Sequence, residues 1–201
     1  FEGRNYLVAT LLRKALFPLR PGRLTIAPME AEIAQVDFFG TTLRTERLKA
    51  EPVVIEALPL PTAGQPKGFD ASHVGRFTIA ARLDKTKVAT GEPVTLVIAI
   101  TGEGNLRRLD PPRLAPVDGV KSYEPKVNVA FAPGDEIAGT KTVEYLLLPE
   151  RPRTYTFPAF ELAFFDPAKK AYVVERSAPL SLEVTGEAVA TTAPGGATGS
   201  R

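Results

Sequence analysis

GEPVTLVIAITGEGNL, residues Gly91–Leu106, is the stretch that decides the fold. Val94, Leu96, Ile98 and Ile100 recur at every second position, with Thr95, Val97, Ala99 and Thr101 between them. A period of two puts the first set on one face of a β-strand, and β-branched residues suit a pleated surface. One face is strictly aliphatic and the other mixes threonine with small apolar groups, so the strand packs against a second layer. Gly91-Glu92-Pro93 leads into the strand. Gly102-Glu103-Gly104-Asn105 is expected to close it as a turn, because Gly and Asn accept positive φ.

Outward from this strand, the same period repeats. Phe77, Ile79, Ala81 and Leu83 alternate with Thr78, Ala80 and Arg82 to give an opening strand. After it come a short strand near Val120–Tyr123, an alternating Val127, Val129, Phe131 set, and longer strands over Thr140–Leu148 and Thr154–Phe165. Tyr172–Val184 closes the series with Leu180, Leu182 and Val184 inward. In Thr154–Phe165 the alternation slips at Pro158-Ala159, as a bulge would cause. Seven or so short strands, with turns about every 8–12 residues, predict an immunoglobulin-like sandwich over residues 76–185. Tyr155, two residues before Phe157 and just after Arg151-Pro152-Arg153, stands where a tyrosine corner would be. An ordinary strand tyrosine is the other reading.

Residues 1–60 carry a related pattern. An alternating strand is expected around Tyr6, Val8 and Thr10, followed by Leu16–Ile33, a turn near Gly40 and a strand over Glu51–Leu58. Pro18, Arg20, Pro21, Thr25, Ile26 and Glu30 fall opposite Pro149, Arg151, Pro152, Thr156, Phe157 and Glu161. After a length difference, Pro52, Val53, Ile55 and Glu56 meet Pro179, Leu180, Leu182 and Glu183. This is an internal repeat. The second copy is preceded by a full set of strands and the first is not. The expected fold is therefore all-β, with tandem immunoglobulin-like β-sandwiches, the first present only as its last three strands. Such a fragment buries little and should lean on a neighbour, another chain or sequence outside this one. Residues 61–75, rich in Pro, Gly and small polar groups, read as a semi-extended linker. Residues 186–201 have almost no large apolar side chains and are expected to be disordered.

Composition narrows the function. Charge is nearly balanced, 25 Lys+Arg against 23 Asp+Glu, so no basic field draws the chain to nucleic acid or anionic lipid. The 19 Pro and 16 Gly interrupt the chain too often for long helices. Cysteine is absent, which removes disulfides and thiolate metal sites. The apolar runs fall well short of the roughly 20 residues of a membrane helix. The chain opens with Phe1 rather than Met and carries no signal-peptide pattern of its own, so a segment of something longer is the expectation.

Residues able to carry chemistry are few. His73, the one histidine, lies beside Ser72 and near Asp70, but a triad needs groups converging from separate elements, so a solvated linker histidine is expected. Gly102-Glu103-Gly104-Asn105 lacks the lysine and helix of a phosphate loop. Asp84, Asp110, Asp118, Asp135 and Glu136 sit near turns without the close oxygen spacing of a calcium site. Glu161 and Glu183 read as solvated strand positions. No catalytic residue, cofactor or metal site is expected. The candidate partner surface is Asn105, Arg107 and Arg108, with Phe160 and Phe164 added from the aromatic group Phe157, Phe160, Phe164 and Phe165, most of which is expected in the core.

Gly75–Leu114, with Gly91-Glu92-Pro93-Val94, Gly102-Glu103-Gly104-Asn105-Leu106 and Pro111, resembles the characteristic segment of the BatD family of bacterial oxygen-tolerance (aerotolerance) proteins. ALFPLRPGRLTIAP (Ala15–Pro28) is similar to a second recurrent stretch of that family. The resemblance implies tandem β-sandwiches facing the periplasm, in a protein anchored to the inner membrane by segments outside this chain. It also implies action with von Willebrand A-domain proteins and a MoxR-type AAA+ ATPase in stress tolerance or envelope assembly. No catalytic residue carries over. The implied role is a non-enzymatic scaffold or adaptor. The alternative is an adhesin- or macroglobulin-like surface module that binds glycan or serves as a stalk, which would need an exposed aromatic platform or a metal-bridged loop.

Overall fold

A computed structural model describes residues 10, 12–133 and 137–186. The expected strand around Tyr6 and Val8 and nearly all of the expected disordered stretch after Val184 lie outside the described residues. The chain divides into two compact units, one of Leu16–Thr62 and the other of Ala63 onward together with the residues up to Ala15.

The first unit holds four strands: β1 (Gly22–Ile26), β2 (Glu30–Val36), β3 (Thr42–Lys49) and β4 (Val53–Ala57). Leu16–Ile33 breaks at Ala27-Pro28 into β1 and β2, where proline offers no N–H to a ladder, and β3 is a strand that the sequence reading did not include. β1 pairs with β4, and β2 with β3, both antiparallel. The β2–β3 turn is capped by Asp37, whose Oδ1 accepts the N–H groups of Phe39 (2.9 Å) and Thr41 (2.8 Å).

The second unit holds ten strands: β5 (Gly75–Leu83), β6 (Lys87–Ala89), β7 (Val94–Gly104), β8 (Val120–Ser122), β9 (Lys126–Phe131), β10 (Ala138–Pro149), β11 (Thr154–Phe157), β12 (Glu161–Asp166), β13 (Ala171–Arg176) and β14 (Leu180–Thr185). One layer runs β5-β7-β10-β8, with β9 also on β10; the other elements are the β11-β14-β6 sheet and the β12-β13 hairpin. The strand read first, β7, lies in the middle of its sheet between β5 and β10. Its aliphatic face (Val94, Leu96, Ile98, Ile100) meets Tyr155, Phe157, Leu162, Phe164 and Leu182 in one core. Each such side chain fully buried contributes about 1.5–3 kcal/mol, against about 0–1 kcal/mol for an exposed ion pair such as Lys87–Glu183. Apolar contact between the layers therefore holds the unit together.

Two expectations shift. The slip at Pro158-Ala159 is a full break, so Thr154–Phe165 becomes two strands with different partners, β14 and β13. The glycine-rich stretch Gly102–Gly104 remains in β7 rather than forming the turn. A side chain at Gly104 (φ 151) would come within 2.6 Å of the Phe77 ring and 2.7 Å of the Val74 carbonyl, so glycine is needed there for close approach of β5.

The two halves of the repeat adopt the same pairings. Leu24 faces Ile55 and Ile26 faces Val53 across β1–β4; at the matched positions, Tyr155 faces Leu182 and Phe157 faces Leu180 across β11–β14. Glu30 faces Lys49 at the open end of one hairpin, and Glu161 faces Arg176 at the open end of the other. Both of these pairs are ion pairs at 2.9 Å. The sequence-length difference falls inside the β2–β3 and β12–β13 hairpins, where turns absorb it.

Candidate interaction surface

β7 ends in a tight turn, and the residues after it are tied down at nearly every backbone group. The Asn105 carbonyl accepts the N–H groups of Arg108 (3.1 Å) and Leu109 (3.0 Å), and Asn105 Oδ1 also accepts Arg108 N–H (3.3 Å). Leu106 and Leu109 are completely buried, so the turn is pinned into the core by two apolar side chains.

Beneath it, Lys141 on β10 lies in phase with the inward residues Val143, Tyr145 and Leu147. Its Nζ donates to the carbonyls of Leu109 (2.6 Å) and Arg107 (3.3 Å). Burial pushes the Lys141 pKa down, and the charge of Asp110 acts in the opposite direction.

His73 completes the clamp. Its Nε2 accepts Asp110 N–H at 3.1 Å, which requires the proton on Nδ1, placed 3.1 Å from the Ala163 carbonyl on β12. Its own carbonyl accepts Phe165 N–H at 2.8 Å. The expected solvated linker histidine is thus a buried clasp joining the turn after β7 to β12. The linker expectation changes with it. Residues 63–73 fold into turns rather than a semi-extended rod, and Phe69 packs edge-on against Tyr172 (4.9 Å). Asp70 Oδ1 accepts Ser72 N–H at 2.7 Å, and the Ser72 hydrogen bonds hold its carboxyl below the usual range, with smaller help from His73 and Arg108.

What this framework presents to solvent is Arg107 and Arg108, both exposed, with Arg113 exposed nearby in sequence. Arg107 stacks over Phe131 at 5.0 Å, which orients its guanidinium without neutralising it. Asn105, Arg107 and Arg108 are therefore brought together. Phe160 and Phe164 are not part of that surface: they are only 6% and 3% exposed. Phe164 meets Phe77 edge-on across the core at 5.3 Å, and Phe160 N–H donates to Ser177 Oγ at 3.0 Å. The break at Pro158-Ala159 turns these rings inward, so they form no aromatic platform for a glycan.

The tyrosine corner is present. The Tyr155 hydroxyl lies 3.0 Å from the Arg151 carbonyl and 2.8 Å from the Gly119 carbonyl and donates to them. Arg153 stacks over the same ring at 4.5 Å and donates to the Asp118 carbonyl. Gly119 (φ 79) leaves no room for a side chain, since a Cβ there would lie 2.8 Å from that hydroxyl. The corner thus ties the crossover before β8 to β11.

His73 and Lys141 were missed as parts of this surface by sequence reading. Lys141 could have been found, because it shares the two-residue period of Val143, Tyr145 and Leu147. His73 carries no such signal.

Residues 81–184, just over half of the chain, match the BatD DUF11-like domain. The chain belongs to the BatD family. The match runs from within β5 to within β14 and takes in β7, the Asn105 turn and the tyrosine corner. No curated protein and no solved structure matches the chain. BatD membership connects the chain with aerotolerance-related proteins of the cell envelope. A BatD domain on an immunoglobulin-like all-β fold is not a typical enzyme fold. Among the described residues, no helix is long and apolar enough to cross a membrane.

Proposed function

We propose that this BatD-family chain is a non-enzymatic adaptor of the cell envelope that binds partner proteins through the Asn105–Leu109 turn. One observation carries the reading. Two adjacent arginines are displayed on a turn whose backbone is clamped by a buried lysine, a buried histidine and two core leucines. Arginine is enriched at interface hot spots, and a pre-organised backbone lowers the ordering cost of binding. Exposed guanidinium pairs favour an acidic surface, to which they add on-rate and orientation. The partners proposed are von Willebrand A-domain proteins and a MoxR-type AAA+ ATPase, at the periplasmic face of the inner membrane, in oxygen or stress tolerance.

The test is capture of the purified A-domain and ATPase partners by the chain, compared with an Arg107→Glu/Arg108→Glu variant. Binding by the parent chain and at least about tenfold weaker binding by the variant, with an unchanged melting temperature, is expected. Absence of binding by the parent, or equal binding by both, overturns the reading.

A further inference from the structure

The turn between β2 and β3 carries the two most exposed large apolar side chains among the described residues: Phe38 is 98% exposed and Phe39 89%. Scattered apolar residues are ordinary on a surface, but these two are adjacent. Their rings meet edge-on at 5.7 Å. From Phe38 to Leu43, which is also exposed, no residue is charged. The cations of the hairpin, Arg44, Arg47 and Lys49, are each in an ion pair with a glutamate of the same hairpin. What the tip offers is therefore apolar. The counterpart turn in the second unit shows that this exposure belongs to the tip and not to an open core. That unit has a closed core, yet its β12–β13 turn is exposed from Pro167 to Lys170. The two turns are built alike. Asp166 Oδ1 accepts the N–H groups of Ala168 and Lys169, as Asp37 Oδ1 accepts those of Phe39 and Thr41. One displays Pro-Ala-Lys-Lys after its aspartate and the other Phe-Phe-Gly-Thr.

We propose that the Phe38-Phe39 tip inserts into the interface of a lipid bilayer, by apolar burial rather than by charge. Phe and Leu are residue types that interfacial segments bury among headgroups and acyl chains. The backbone of the tip is prepared for that environment, where an unbonded N–H is costly. Asp37 N–H donates to the Thr41 carbonyl at 2.9 Å and Gly40 N–H to the Asp37 carbonyl at 3.1 Å. With the two N–H groups held by Asp37 Oδ1, four donors of the turn are satisfied within it. Asp37 itself is only half-exposed, at the base of the tip. A projecting pair of rings needs a matching cavity in a protein partner, whereas fluid lipid closes around it. The near-balanced charge of the chain, 25 Lys+Arg against 23 Asp+Glu, gives an anionic surface no added hold. This inference stands apart from the arginine turn, which belongs to the other unit.

The chain has no tryptophan, so one introduced at the tip reports without background. The 201-residue chain, its Phe38→Ser/Phe39→Ser variant and the single variants Phe38→Trp and Lys169→Trp are mixed with vesicles of phosphatidylcholine and phosphatidylethanolamine. The parent chain should sediment with the vesicles, and the double-serine variant should partition at least about tenfold more weakly. High salt should leave the parent's partition unchanged, because screening acts on charge and not on apolar burial. Phe38→Trp emission should shift to the blue and be quenched by brominated acyl chains, while Lys169→Trp on the counterpart turn should show neither change. The serine positions are solvent-exposed, so the variant should keep the parent's melting temperature, which ties its loss of binding to the tip. A parent chain that stays in solution overturns the proposal and leaves an apolar pocket of a partner protein as the reading of the tip. Equal partition of parent and serine variant overturns it, as does an unshifted Phe38→Trp spectrum. Binding that requires anionic lipid and is abolished by salt overturns it too, since charge would then be the cause.

Discussion

β1–β4 and β11–β14 are one strand plan used twice. Pairing, register and even the ion pair at the hairpin base coincide. They differ in what lies over the apolar face. In the second unit that face meets the β5-β7-β10 layer, and the side chains are large: Tyr155, Phe157, Leu162 and Phe164. In the first the corresponding residues are Leu24, Ile26, Ala31 and Ile33. Backbone pairing is therefore specified locally by period and turn residues, whereas burial depends on the opposing layer. A shared ladder says little about how much a given side chain contributes.

The largest effect should come from truncating the shared position. Phe157→Ala opens a cavity in a closed core and should lower stability by about 3–5 kcal/mol, whereas Ile26→Ala should cost under about 1.5 kcal/mol in this chain. Urea unfolding of both variants measures the difference, and similar costs would break the contrast between a covered and an uncovered face.

The clasp on β12 has no counterpart on β2 among the described residues. His73→Ala leaves Asp110 N–H and the Ala163 carbonyl without their partner and should cost about 2–4 kcal/mol. It should also speed amide exchange at Asp110 and Phe165 while leaving β1–β4 unchanged. A matched loss in both units would show that they unfold together.

The corner hydroxyl is the next difference, since Leu24 stands where Tyr155 does. Tyr155→Phe should cost about 1 kcal/mol: the Gly119 carbonyl keeps Glu150 N–H as a donor at 2.8 Å, so one of the two acceptors remains satisfied. A loss several times larger would assign the corner a role beyond one hydrogen bond.

The smallest effect is a slope. Lys141 has a lower pKa in the folded chain than the ordinary 10.5. Below the folded value it is charged in both states and its burial opposes folding in full. As pH rises from the folded value toward the unfolded one, the unfolded chain holds more protons and stability increases. Lys141→Met should flatten that alkaline rise in chemical-denaturation curves. An identical slope in both proteins would mean that Lys141 is solvated in the folded state.

Much of this was legible in the chain. The alternation in Val94–Ile100 located the central strand, and the proline–arginine repeat located two equivalent ladders. Tyr155 stood where a corner hydroxyl was expected. The polar clamp was only partly legible: Lys141 kept the inward phase of its strand, but a charged residue there reads as a solvated one until its acceptors are known. His73 reads as a linker residue in the sequence because its partners, Asp110 and Ala163, are far away in the chain. Phe160 and Phe164 follow Pro158-Ala159, where the sequence suggests a bulge but the structure has a full strand break, and the break turns both rings into the core.

Period and turn chemistry alone determined that this polypeptide is all-β, where its central strand lies and that one set of strands is repeated, because those properties depend on residues a few positions apart. The tertiary structure alone decided which equivalent faces are buried, which arginines are displayed and which polar groups lie beneath them. Burial and hydrogen-bond satisfaction depend on the layer that arrives from elsewhere in the chain, and no local pattern contains it.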